Sequence, residues 1–307
     1  MGEKIEYFTR SQIEDERWDD WIKASLNRRM QATSWFLDNF SPGWGALVMD
    51  NGNAVMPVTQ NRKYGISYLF QPIFVQQLGF FYTDDHYSRF LPEFIEKINV
   101  NFRFADISFN EMNDISTTGY QCSTLYNYIL RLDRPYSLTA GSFKNNTRRN
   151  VIKASRLGVR LTSRYSASEI IRLFIQHNGR MYPNIRKLNY SRLADSIEHS
   201  IARGMLCIRA ARARNGDIIA AACFLKDFDR HLFYFSANTA EGRMQGAMFM
   251  LIDNFIRENS EQEMLLDFNG SMNQGHARFY KGFGARRTAY QRLRINRLMF
   301  PVNYLVM

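Results

Sequence analysis

The chain has 307 residues, 45% hydrophobic and 22% charged, which excludes disordered, collagen-like and low-complexity classes and leaves room for two domains. Lys and Arg outnumber Asp and Glu by 40 to 29. The excess is lopsided: residues 1–133 carry 12 basic and 17 acidic side chains (net −5), and residues 134–307 carry 28 and 12 (net +16). A positive half of this size points to an anionic partner, whether nucleic acid, a phosphate-bearing donor or an anionic membrane. Cys122, Cys207 and Cys223 lack the number and spacing of a disulfide framework or a zinc knuckle. The five histidines show no metal-ligand spacing, so no metal is expected. The polar, acidic start Met1-Gly2-Glu3-Lys4-Ile5-Glu6 predicts no signal peptide. The longest apolar tract, 65–82, is interrupted by Gln71, Pro72, Gln76 and Gln77, so no transmembrane segment is predicted; the sparse, unpaired cysteines predict a reducing, cytoplasmic setting. Met299–Met307 is apolar but short, and is expected to pack on the protein. Serine-hydrolase, Walker A and dinucleotide-binding signatures are absent.

In chain order, Trp18 to Met30 predicts a helix, with Trp18, Trp21, Ile22 and Leu26 on one side. Asn51-Gly52 between the apolar runs 45–50 and 54–59 is a hairpin signal. Further strands are expected at 67–70, 79–82, 102–109 and 125–132, with a helix at 91–98 that tolerates Pro92 in its first turn. A basic helix over Asn146 to Leu157 is stopped by Gly158. Its Arg149, Lys153, Arg156 and Arg160 would share one face if the helix continued. Ser166 and Glu169 form a capping box before Ile170, Ile171, Phe174 and Ile175, and a helix follows at 190–202. Strands are predicted at 206–213, 218–226 and 231–237, the first two joined at Asn215-Gly216. Met248, Leu251, Ile252, Phe255 and Ile256 then define an amphipathic helix. A buried strand at 264–268, a short helix capped by Ser271 and Gln274, and a last strand at 289–295 complete the chain. The order is that of a mixed, mostly antiparallel sheet flanked by helices, in the α/β (mixed α+β) class.

Three stretches carry a resemblance. Phe235 to Met248 reads as strand, loop and helix start, and its Arg243-Met244-Gln245-Gly246-Ala247-Met248 resembles the R/Q-x-x-G-x-G/A loop of the acyl-CoA N-acyltransferase (GNAT) fold, with Met248 departing at the third fixed position. Backbone N–H groups at a helix start have no intrahelical acceptor and can meet a pyrophosphate. Ala277 to Ala285, with Phe279-Tyr280 ahead of Gly282-Phe283, looks like the family's late motif. Ser142 to Val159 resembles the Fem-type (FemABX) transferases, whose members are tandem GNAT folds; Leu266 to Ser271 fits the same relatives.

The resemblance implies two GNAT-like domains: a degenerate first one at 1–133 and an acyltransferase domain at 134–307. It implies an acyl-CoA donor, acetyl-CoA first among them, and an amine acceptor, small or peptide-borne. It assigns Tyr280 to protonate the departing thiolate, and places the donor phosphates at Arg243, Met244, Gln245, Gly246 and Ala247. An alkyl amine is almost wholly protonated at pH 7, so a base is needed; Asp267, Glu241 and His276, one turn before Tyr280, are the candidates. Two other readings stay open. One is a Fem-like transfer from aminoacyl-tRNA, with tRNA held by Arg148, Arg149, Lys153 and Arg156. The other is a non-catalytic binding module.

Overall fold

The computed structural model describes residues 4–63, 65–270 and 272–299. Packing divides the chain into two compact units, one up to Leu125 together with the residues from Ala289 on, the other Tyr126–Thr288. The division thus falls eight residues before the expected 133/134 boundary, and the last strand goes with the first unit.

The first unit runs β1 (Glu6–Thr9), α1 (Asp15–Ala24), α2 (Ser34–Phe40), β2 (Gly45–Met49), β3 (Ala54–Val58), β4 (Gln60–Lys63), β5 (Ile66–Phe70), β6 (Phe81–Tyr82), α3 (Leu91–Asn101) and β7 (Phe104–Ser108). The predicted hairpin is β2–β3, with Asp50, Asn51 and Gly52 all at positive φ in the turn. Strands β1, β2, β3 and β6 pair in that order, and β4, β5 and β7 pair alongside. The α1 helix is shorter than expected. Ser25 Oγ donates back to the Trp21 carbonyl, and the Leu26 amide is captured by the Tyr82 carbonyl. Leu26 therefore lies exposed outside the helix, while Trp18 and Ile22 are buried.

The second unit contains β8 (Cys122–Arg131), which enters from the first, then α4 (Tyr136–Gly141), α5 (Asn145–Arg156), β9 (Arg160–Thr162), α6 (Ala167–His177), α7 (Lys187–Ala202), β10 (Leu206–Arg212), β11 (Ile218–Lys226), β12 (Arg230–Asn238), α8 (Ala240–Gln245), α9 (Ala247–Glu258), β13 (Leu265–Asp267) and α10 (Gln274–Gly282). Its strands lie in the order β8-β13-β12-β11-β10-β9, antiparallel except for β12 and β13. The final strand, β14 (Arg286–Asn296), pairs antiparallel with β7, which explains why the chain end belongs with the first unit.

The amphipathic pattern at 248–256 is α9, and all five of its apolar positions are buried. Phe255 stacks flat on Phe224 of β11 at 3.7 Å. The basic helix is α5, but Gly158 at φ 77° ends it, so Arg160 belongs to β9 and leaves the shared face. The Ser166–Glu169 capping box forms as expected. Ser271 and most of the C-terminal tract lie outside the described residues; α10 is capped by Asn273, whose Oδ1 accepts from the Gly275 and His276 amides. No helix among the described residues is long and apolar enough to cross a membrane.

Candidate active site

Strands β12 and β13 are paired only from Arg230 to Leu232. Beyond that point β12 continues for six residues without its parallel neighbour. The cause is local: Cys223 and Phe224 on β11 pair with Phe235 and Phe233, leaving Tyr234 as an extra residue on β12. Such a bulge bends a strand and sharpens its twist. The two strands part, and a cavity of about 640 Å³ opens at the gap.

Its floor is β12, through Phe233, Ser236 and Asn238. One wall comes from α6 and the turn after it: Phe174, His177, Asn178, Met181 and Tyr182. The opposite side is formed by Gly242, Arg243, Met248 and Phe249 around the α8–α9 corner, and by His276, Phe279 and Tyr280 of α10. The volume is that of a small-molecule site. Among the described residues no Asp or Glu lines it, and Arg243 is the one permanent cation there.

Tyr280 is buried against Phe268 in a stacked pair at 4.6 Å, with Tyr128 and Phe233 at its edges. Burial, with the Tyr182 phenol nearby, pushes its hydroxyl well above the ordinary tyrosine value. His276 lies on the same face of α10, its ring 6.2 Å from that of Tyr280. The His276 residue is exposed at the cavity rim, and the partial loss of solvent on its cavity side lowers its pKa, so the imidazole is neutral at pH 7. The structure thus brings Tyr280, His276 and Arg243 together.

The other acids lie elsewhere. The Asp267 carboxylate is buried and accepts from Asn127 Nδ2 at 2.8 Å, Arg230 Nη1 at 3.2 Å and the Asn269 amide at 2.7 Å. Those partners fix the turn after β13, and with it the Phe268 ring on which Tyr280 rests. Glu241 accepts from Gln245 Nε2 at 2.7 Å on α8, and neither residue lines the cavity. The segment expected to be an open phosphate loop is helical. Thr239 caps α8: its Oγ1 takes the Gly242 amide at 2.9 Å, and its carbonyl takes the Arg243 amide. Met244 points to solvent and Ala247 is fully buried. Gly246, at φ 76°, turns α8 into α9, and a Cβ there would come within 2.7 Å of the Asn150 carbonyl of α5. Its role is close packing at a corner. Gly242 is equally constrained, since a Cβ would lie 2.1 Å from the Ile219 carbonyl.

Arg243 is held at the end of β12 by a 2.8 Å bond to the Asn238 carbonyl. The Asn238 Oδ1 is buried in this corner without a hydrogen-bond partner, an acceptor that a ligand amide would satisfy. Asn178, whose Oδ1 accepts the Asn238 amide, ties α6 to the same place. Sequence reasoning gave no site role to Asn178, Asn238 or His177; the signal available was the His177-Asn178-Gly179 break after an amphipathic helix. Among the described residues no cluster of three or more His, Cys, Asp or Glu could hold a metal.

Residues 141–282 match the family described as an acetyltransferase (GNAT) domain. No curated protein matches the sequence. Among solved structures the chain is similar to FemX, with a TM-score of 0.64 at 12% identity over 98% of this chain and 99% of that one. It is similar to a conserved protein of unknown function from Bacteroides thetaiotaomicron VPI-5482, with a TM-score of 0.61 at 12% identity over 92% and 97%. L-PGS from Bacillus licheniformis gives 0.55 at 11% identity over 95% and 96%. At these identities the likeness shows the fold, which is FemX-like along nearly the whole chain, and residues 141–282 belong to the GNAT acetyltransferase family.

Proposed function

We propose that this chain moves an acyl group from an acyl-CoA to an amine, with the reaction centre beside Tyr280. The observation that carries the reading is the cavity at the open edge of β12, with a buried phenol at one end and a fixed arginine and an orphaned amide oxygen at the other. Arg243 suits a donor phosphate, and Asn238 Oδ1 an amide N–H of the donor's arm. CoA when bound supplies the thioester whose C–S bond is broken.

The residues then have separable tasks. Tyr280 stays protonated at any working pH, and gives its proton to the departing sulfur as the new C–N bond forms. The thiolate leaves in the same apolar surroundings, where it too is a stronger base than in water. His276, neutral at pH 7, takes the proton released by the amine nitrogen, the part that Asp267 and Glu241 are not placed to play. The aromatic walls exclude water, which would otherwise compete with the amine.

A second reading has its own observation. Arg148, Arg149, Lys153 and Arg156 are exposed on α5, and among the described residues none has a carboxylate partner. Several phosphate contacts are what an aminoacyl-tRNA donor would need. Thermal unfolding with CoA, acetyl-CoA and tRNA at low and high salt separates the two. A donor at about 100 times its dissociation constant stabilises by about 2.7 kcal/mol. Stabilisation by CoA esters supports the first reading. Salt-sensitive stabilisation by tRNA alone replaces it with the second.

A further inference from the structure

We infer that the acyl group this site accepts is an apolar chain of medium length rather than acetyl, laid against the wall formed by Phe174, Met181 and Tyr182; the inference rests on the acyl-CoA reading above. With the donor's phosphate at Arg243 and the scissile bond at Tyr280, the α6 wall is left to the acyl chain or to the amine acceptor, and its apolar lining favours the chain. That wall is aromatic and rigid. Phe174 is gripped by Phe235 at 4.8 Å, Tyr182 at 5.5 Å and Tyr190 at 6.1 Å. An acetyl group would leave its outer part, Met181 and Tyr182, in water. Met181 and Tyr182 are 64% and 40% exposed at its lip, large apolar side chains that a chain emerging from the cavity would cover. A thioether adapts to chains of differing length. Among the described residues no carboxylate lines the cavity to attract an ammonium ion, so the wall is matched to an uncharged chain.

The test is the dissociation constant of the full chain for CoA and for acetyl-, butyryl-, octanoyl- and dodecanoyl-CoA, kept at monomeric concentrations. Each methylene that reaches the wall should tighten binding by up to about fourfold, giving at least about a tenfold gain from acetyl to octanoyl. Met181→Asp places a charge at the exposed lip, where folding is insensitive to it, and should remove most of that gain. Equal or better binding of acetyl-CoA than of octanoyl-CoA overturns the inference and assigns the wall to the acceptor, with the donor reading intact. A gain that persists undiminished in Met181→Asp overturns it too, since the chain then lies elsewhere. No binding of any CoA species overturns the donor reading and this inference with it.

Discussion

The two units treat a free strand edge in opposite ways. In the first, the backbone beside β6 is closed by buried amides. The Phe80 amide donates to Asn113 Oδ1 at 2.9 Å, and its carbonyl accepts from Asn113 Nδ2 at 2.9 Å and Asn27 Nδ2 at 2.7 Å. Asn110 Nδ2 reaches the Leu78 carbonyl at 3.1 Å. In the second, β12 runs past β13 and its edge is left to a cavity. Buried backbone groups must find partners somewhere. One unit supplies them from its own side chains; the other leaves room for a ligand. That difference, together with the charge imbalance, is why we propose the second unit as the seat of the chemistry.

The largest effect that would test this contrast is at Tyr280. Tyr280→Phe keeps the stack on Phe268 and removes the proton, so turnover should fall by about 10²- to 10³-fold. Donor affinity should stay within about threefold. Unchanged turnover removes Tyr280 from the acid role.

In the first unit the matching change is Asn113→Ala. It leaves the amide N–H of a fully buried Phe80 without its acceptor, while the carbonyl keeps Asn27 Nδ2, and should cost about 1–3 kcal/mol of stability. CoA affinity, measured on the folded variant, should not change. A fall in affinity would mean that the first unit takes part in donor binding.

Arg243→Ala should weaken CoA binding by about tenfold, the worth of one hydrogen bond to a charged group. The loss should shrink as salt rises. Loss of equal size for CoA and for dephosphorylated pantetheine would show that Arg243 does not meet a phosphate.

The remaining effect concerns pH and stability rather than the site. His231, at the start of β12, is buried edge-on against Phe255, and its Nε2 has no hydrogen-bond partner. Burial, aided by Lys226, pushes its pKa down to about 4. The unfolded imidazole protonates near 6.5, so the unfolded state binds the extra proton between these values. Stability contributed by neutral His231 is present above 6.5 and is lost as pH falls toward 4, by about 3 kcal/mol at most. His231→Leu should flatten the melting temperature between pH 6.5 and 4.5. An unchanged slope would place the acid sensitivity in other groups.

The sequence was most legible where a local rule decides the outcome. Asn51-Gly52 dictates a hairpin because the turn needs positive φ. The 248–256 periodicity dictates α9, and the Phe279-Tyr280 pair points to the cavity. It was least legible where distant residues decide. Asp267 looks like a free acid until Asn127, 140 positions earlier, and Arg230 are brought to it. The Arg243–Gly246 stretch looks like an open loop because a six-residue helix with a glycine has little intrinsic propensity; Thr239 and the packing of Gly242 on Ile219 make it helical. Phe174 reads as one more core position on an amphipathic helix, and only the bulge at Tyr234 shows that it faces a cavity.

A donor along the open edge of β12 would shield that edge from solvent. Amide hydrogen exchange with and without saturating acyl-CoA tests it most directly. Exchange should slow over residues 233–249 and in α10, with residues 54–82 unchanged. Protection confined to 54–82, or none in 233–249 with the ligand bound, would contradict it.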